Sequence, residues 1–297
     1  MPGVTRREQL QADLSLLFIT AIWGTTFVIV KAGVAELPPL TFIALRFWLA
    51  FAILLALFGR RLLKMNRRLA LAGASIGFFL FAGFACQTAG LQFTTASKSG
   101  FITGLSVIFV PFLAWILIGH PPGRNSVIGV ILATIGLGML SLQNGLAIGL
   151  GDLLTLASCI GFALQIVLIA KYSPDHDPMA LTTIQIGVVA ILSTASAFFV
   201  EGVPTVIPPT SLLAAIFTGV IATALVFAIQ NKAQAYTTPT RTALIFVLEP
   251  VFAAVFAYVW AGETFTERVL IGGLLIVIGM IVAELHFGPR LAENLET

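Results

Sequence analysis

The chain has 297 residues, of which 58 % are apolar and only 10 % carry a charge, against about 25 % charged in ordinary soluble domains. So few charges cannot clothe a water-facing surface, which excludes a soluble globule and a disordered chain; the mean hydropathy of +1.03 fits an outer surface that meets lipid. The net charge of +3 therefore reads as membrane topology and not as an affinity for nucleic acid.

The N-terminus is polar (Arg6, Arg7, Glu8, Asp13) and leads into an apolar run over residues 14–30. That run holds Trp23, Thr25 and Thr26 and has no small-residue cleavage site, so it reads as a first membrane span and not as a signal peptide. A helix needs about 20 residues to cross the hydrocarbon core. Runs of that size follow one another at 13–31, 39–59, 69–90, 97–118, 126–143, 152–171, 179–200, 211–231, 240–260 and 268–286. Polar residues, glycines and prolines separate them. The expectation is an all-α polytopic membrane protein of ten transmembrane helices.

With the N-terminus in the cytoplasm, the inner segments hold twelve basic residues, among them Arg60, Arg61, Lys64, Arg67 and Arg68, and the outer segments hold three. This bias puts both termini in the cytoplasm. The halves also repeat. A shift of 143 lays Gln87 on Gln230, Lys98 on Arg241, Gly129 on Gly272 and Gly136 on Gly279 without a gap. Nearer the start of each half the shift is 139, with Trp23 on Phe162, Pro39 on Pro178 and Arg46 on Gln185. The boundary falls between residues 1–146 and 147–297, five helices each. An odd number of helices makes the second copy enter the membrane from the opposite side, so the two repeats are inverted. That is a design of secondary transporters working by alternating access.

Ionisable residues deep in a span are costly, and they are candidates for function by default. Arg46 lies in the second span and Glu249 in the ninth, at depths of roughly 10 and 16 Å below the outer boundary at 1.5 Å per residue. Two readings stand side by side: a structural ion pair, or groups that line and couple a pathway, with Glu249 as the proton carrier. Lys98 and Arg241 open the fourth and ninth spans at opposite faces. They read as snorkelling anchors, or as cations that attract a carboxylate at each mouth. Gln87, Gln165, Gln185 and Gln230 read as interhelical hydrogen-bonders or as pathway residues. Cys86 and Cys159 lie in apolar runs and read as small buried residues. The glycines at 73, 77, 100, 104, 129, 136, 272 and 279 suit close helix contacts. Trp115, Tyr258 and Trp260 suit the interface. Pro111 and Pro250 are offset by one turn between the equivalent fourth and ninth helices, so kinks there would be asymmetric.

An enzyme is not expected. His120, His176 and His286 are scattered, Asp175-His176-Asp177 reads as a solvated loop with weak metal binding as the alternative, and neither a nucleophile elbow, a zincin motif nor a Walker loop is present. No cofactor or metal is expected.

Several motifs carry a family resemblance. They are Ile22-Trp23-Gly24-Thr25-Thr26-Phe27, Ala44-Leu45-Arg46-Phe47, Thr238-Pro239-Thr240-Arg241-Thr242-Ala243-Leu244-Ile245 with Leu248-Glu249-Pro250, and Ala261-Gly262-Glu263-Thr264. The first-half counterpart is Thr94-Thr95-Ala96-Ser97-Lys98-Ser99-Gly100-Phe101, with Val110-Pro111 later. Over about residues 12–286 the chain resembles the ten-helix EamA exporters of the drug/metabolite transporter superfamily. The resemblance implies a five-plus-five bundle around a central cavity, exporting small metabolites such as amino acids from a bacterial cell across its inner (plasma) membrane. It also puts the helices bearing Trp23, Phe101 and Phe162 around that cavity, where core or lipid-facing packing is the alternative for each ring. One departure is Gly119-His120, where the second half has Gly262-Glu263. The expected partners are a small-molecule substrate and the lipid bilayer, with proton coupling and a homodimer left open. The alternative function is a lipid or small-molecule translocator or channel without ion coupling.

Overall fold

Prolines and short polar side chains start the helices. In the computed structural model, which describes residues 4–119, 121–141, 149–202, 204–261 and 267–284, the Thr5 side chain accepts from the Glu8 backbone N–H and Glu8 reaches back to Thr5. Asn66, Thr95, Asp177 and Thr238 likewise accept from backbone N–H groups in the first turns they open. Pro39, Pro178, Pro209 and Pro239 each sit in a first turn, where the missing N–H costs nothing.

The described residues are helical and contain no strand. In order they form α1 (Arg6–Gly24), α2 (Thr26–Gly33), α3 (Pro39–Phe58) with a 3-10 turn at Gly59–Lys64, α4 (Arg67–Leu91), α5 (Ala96–Gly104), α6 (Ser106–Ile118) and α7 (Arg124–Ser141). Then come α8 (Leu150–Tyr172), α9 (Pro178–Val200), α10 (Pro209–Gly219), a π-helical stretch at Val220–Leu225, α11 (Val226–Gln234), α12 (Pro239–Phe246), α13 (Glu249–Ala261) and α14 (Glu267–Glu284). Among the described residues, six helical stretches are long and apolar enough to cross a membrane: Pro39–Lys64, Arg67–Leu91, Lys98–Ile118, Leu150–Tyr172, Pro178–Val200 and Pro209–Gln234; α1 and α2 together make a seventh, bent by 40°. The apolar stretches of α7 and α14, Arg124–Met139 and Leu270–Ala283, are shorter. This is a multi-pass membrane protein. His120, Gly262, Glu263 and His286 lie outside the described residues.

Several runs expected to be continuous are broken, and local chemistry explains two of the breaks. At Thr25 the hydroxyls of Thr25 and Thr26 bond back to the carbonyls of Ile22 and Trp23, at 2.7 and 2.9 Å, in competition with the helical ladder. After Phe246 the helix stops because Pro250 has no N–H to give the Phe246 carbonyl and its ring would clash there. Pro250 thus ends one helix and opens the next, whereas Pro111 lies within α6.

Helices in lipid gain no hydrophobic drive from meeting each other, so they need close contact. Several crossings achieve it through glycine, among them α7 with α14 and α8 with α4. On α7, a Cβ added at Gly129 or Gly136 would come within 2.5 Å of the Gly279 carbonyl or 2.4 Å of the Gly272 carbonyl on α14. On α8, a Cβ at Gly161 or Gly151 would sit 2.7 Å from the Gly83 nitrogen or the Gly90 carbonyl on α4. The outer surface is apolar, with Phe199 82 % and Ile116 74 % exposed, as lipid contact requires.

Gly136→Ala should lower the thermal unfolding temperature of the purified protein, with an overpacking cost of about 1–3 kcal/mol. Gly123→Ala, which meets nothing within 4 Å, should leave it unchanged. Equal melting of the two variants would show that the α7–α14 crossing is looser than described.

Candidate functional site

A cavity opens at the centre of the helices, with about 80 Å³ open to water, room for a few molecules or a slender solute. Seven of the eleven residues proposed from sequence line it: Trp23, Arg46, Gln87, Phe162, Gln165, Gln230 and Glu249. The backbone breaks reach it as well. Thr26 follows the break at Thr25, Ser106 the break at Leu105, and Glu249 the break at Val247 and Leu248, and all three line the cavity.

Arg46 is 3 % exposed. Its Nε donates to Thr223 Oγ1 at 2.7 Å and its Nη2 to the Ala222 carbonyl at 3.3 Å. Both acceptors belong to the π-helical stretch, a local widening of the kind often found at functional sites. The same Ala222 carbonyl accepts from Trp23 Nε1 at 3.1 Å. The guanidinium lies 4.8 Å from the Phe84 ring centre and 5.5 Å from that of Phe47, a cation–π arrangement. Every one of these partners is neutral.

Glu249 occupies the first turn of α13. No hydrogen bond or ion pair reaches its carboxylate among the described residues, and none joins it to Arg46. Of the two readings left open, the direct Arg46–Glu249 ion pair is absent in this conformation. The cavity therefore carries a cation on neutral partners and an acid with none.

The rest of the lining is aromatic and amide. Trp23 meets Phe227 and Phe246 edge-on at 5.6 and 5.1 Å between ring centres, and Phe84 meets Phe162 and Phe227 at 5.2 and 6.2 Å. Gln87 Nε2 donates to Thr103 Oγ1 at 2.9 Å. Gln230, in register with it at the 143-residue shift, donates to Gln234 at 2.8 Å and to Gln165 at 3.3 Å, leaving Gln165 Nε2 and Gln230 Oε1 without a partner among the described residues. Buried amide atoms left unpaired are costly, and here they border the cavity.

Four proposed residues lie elsewhere. Phe101 packs in the core with Val107 and Ala133. Gln185 is fully buried on α9 against Gly77 of α4, with neither amide atom bonded. Lys98 pairs with Asp152 and Arg241 with Asp13. Both cysteines are free, and Cys159 donates to the Ile102 carbonyl. Asp177 caps α9 and pairs with Arg61.

Sequence reasoning missed Thr26, Phe27, Phe84, Thr103, Ser106, Phe227 and Phe246 in the lining. The 143-residue shift held a usable signal, because it relates Phe84 to Phe227, Thr103 to Phe246 and Ser106 to Glu249.

Thr223→Val should destabilise the folded protein by about 1.5–3 kcal/mol, the usual range for a lost hydrogen bond to a charged group. Thr223→Ser should restore most of it. A thermal melt of the purified variants that separates neither from the parent would mean that Arg46 finds another acceptor.

The model of the EamA-like transporter family matches residues 10–142 and again 149–284. An uncharacterized transporter of Archaeoglobus fulgidus is 33 % identical over 96 % of this chain and 89 % of its own length. A probable amino-acid metabolite efflux pump of Salmonella typhimurium is 26 % identical over 92 % of this chain and 95 % of its own. One crystal structure superposes with a TM-score of 0.76 at 18 % identity, covering 92 % of this chain and 97 % of that one, which is a likeness of fold. Matched in two successive stretches over nearly all of its length, the chain belongs to the EamA-like transporter family.

Proposed function

We propose that the protein is a secondary transporter that exports small organic solutes, amino acids among them, across the bacterial plasma membrane by alternating access. One observation carries this reading: a central cavity, walled by aromatic rings, holds a guanidinium on neutral partners and a carboxylate with no partner among the described residues. A buried guanidinium held only by neutral groups suits a small solute that brings a carboxylate, and an acid kept apart from it can take up and release a proton. The efflux pump among the relatives supports both the direction and the amino-acid class.

The proposed frame is ten spans in two inverted five-helix repeats, residues 1–146 and 147–297, with both termini in the cytoplasm. Support comes from the two successive family matches, and from the equivalent breaks before Ser106 and Glu249. In this frame Glu249 couples transport to protons. It loads a proton when the cavity opens to one side and gives it up on the other, as Arg46 and water change its surroundings.

The test is uptake and exchange of a labelled amino-acid panel in vesicles of purified protein, with and without a pH gradient. Glu249→Gln should abolish gradient-driven accumulation while exchange stays within about twofold of the parent, since uniform binding and coupling are separable terms. If exchange falls together with driven transport and the melting temperature drops as well, Glu249 is a structural group and the coupling idea fails.

A further inference from the structure

Two ion pairs stand outside the cavity, and they are copies of each other. Lys98 Nζ donates to Asp152 Oδ2 at 2.6 Å. Arg241 Nε donates to Asp13 Oδ1 at 3.0 Å, and its Nη2 lies 2.5 Å from Asp13 Oδ2 as an ion pair. Each acid also accepts from a threonine, Asp152 from Thr94 at 2.7 Å and Asp13 from Thr237 at 3.4 Å. The next residue in each case, Thr95 or Thr238, caps the helix and accepts from the backbone N–H of the cation itself. The shift of 143 relates the threonines and the cations, and the shift of 139 relates the two acids. Four matched positions of specific chemistry, built at both ends of the chain's internal repeat, are more than capping or snorkelling requires.

What the pairs tie together gives them a mechanical meaning. Lys98 sits on α5, a nine-residue half-helix, and Asp152 on the long α8; Arg241 sits on α12, an eight-residue half-helix, and Asp13 on the long α1. The far end of each half-helix borders the cavity, through Thr103 and Gly104 on α5 and Phe246 on α12. Just beyond lie the breaks at Leu105 and at Val247 and Leu248, natural pivots. Lys98 is about 12 Å along the helix from Ser106, at 1.5 Å per residue, so each pair lies between the cavity and one end of the bundle. The side chains are partly buried, 26 and 7 % exposed in one pair and 22 and 12 % in the other. That is dry enough for the pair to hold, yet close enough to water for both charges to be rehydrated when it parts.

We infer that these pairs are reciprocal latches, each closing one mouth of the cavity by fastening a half-helix to the long helix beside it. This rests on the transport reading above. With both latches closed the cavity is reduced to its present narrow volume. Release of one lets its half-helix swing about the break and admits water from that side alone.

The test uses the full chain in oriented vesicles, with Cys86→Ser, Cys159→Ala and a reporter Thr103→Cys in the cavity wall, labelled by a membrane-impermeant maleimide. Lys98→Gln should speed labelling from one face about tenfold, the population change a tenfold-shifted opening equilibrium gives. Arg241→Gln should do so from the opposite face. The swapped pair Lys98→Asp with Asp152→Lys should return the slow rate. The latch idea is overturned if each variant speeds labelling equally from both faces, or if rates stay unchanged while the melting temperature falls. If both variants open the same face, the reciprocal latches are overturned, while gradient-driven transport in the same vesicles still tests the transport reading on its own.

Discussion

A hydrocarbon core offers no water to unpaired N–H and C=O groups, so every backbone group there has to be bonded within the protein. The rest of the structure depends on that constraint. It explains why the described residues form helices and no strand, and why the long helices α3, α4, α8 and α9 run unbroken. It also makes the breaks informative. Backbone irregularity at membrane depth is tolerated where protein surrounds it or where it lines a cavity, and here the residues after all three breaks border the same cavity. The π-helical stretch serves the cavity too, by presenting Ala222 and Thr223 to Arg46 and Trp23.

Rigidity and mobility are divided between different chemistries. The α7–α14 crossing is made by glycines whose backbones nearly touch, and neither helix lines the cavity. Contacts of that kind have one optimal geometry, because any tilt opens a void that nothing fills. The half-helices α5 and α12 are held instead by hydroxyls and an ion pair at their outer ends. Polar contacts near water can be exchanged for hydration at little net cost. One part of the bundle is thus built as a fixed frame and another as elements that can be released.

The few charges are spent selectively. Arg61 and Asp177 tie the turn after α3 to the start of α9, and the Lys98–Asp152 and Arg241–Asp13 pairs hold the half-helices to α8 and α1. Arg46 and Glu249 are the exceptions, since each enters the interior without the other. Interior charges without counter-charges are expensive, and a protein keeps such a cost where a ligand or a proton relieves it. The sequence register sharpens the contrast. A shift of 139 lays Arg46 on Gln185 and a shift of 143 lays Ser106 on Glu249, so neither charge of the cavity has a charged counterpart in register.

The amino-acid sequence by itself determined the class of the molecule, because composition decides which solvent the surface can face and apolar run length decides what crosses it. Its register also related Lys98 to Arg241 and Gln87 to Gln230, and depth in a span alone singled out Arg46 and Glu249. Only the tertiary structure decided which of these meet. Whether Arg46 touches Glu249 depends on where the chain breaks and how neighbouring helices rotate, and apolar periodicity is silent on rotation when nearly every face is apolar. The acids that hold Lys98 and Arg241 escaped notice for a related reason. Asp13 and Asp152 lie at the starts of other spans, 139 residues apart and far from either cation in sequence, and their pairing appears only when α1 packs against α12 and α8 against α5.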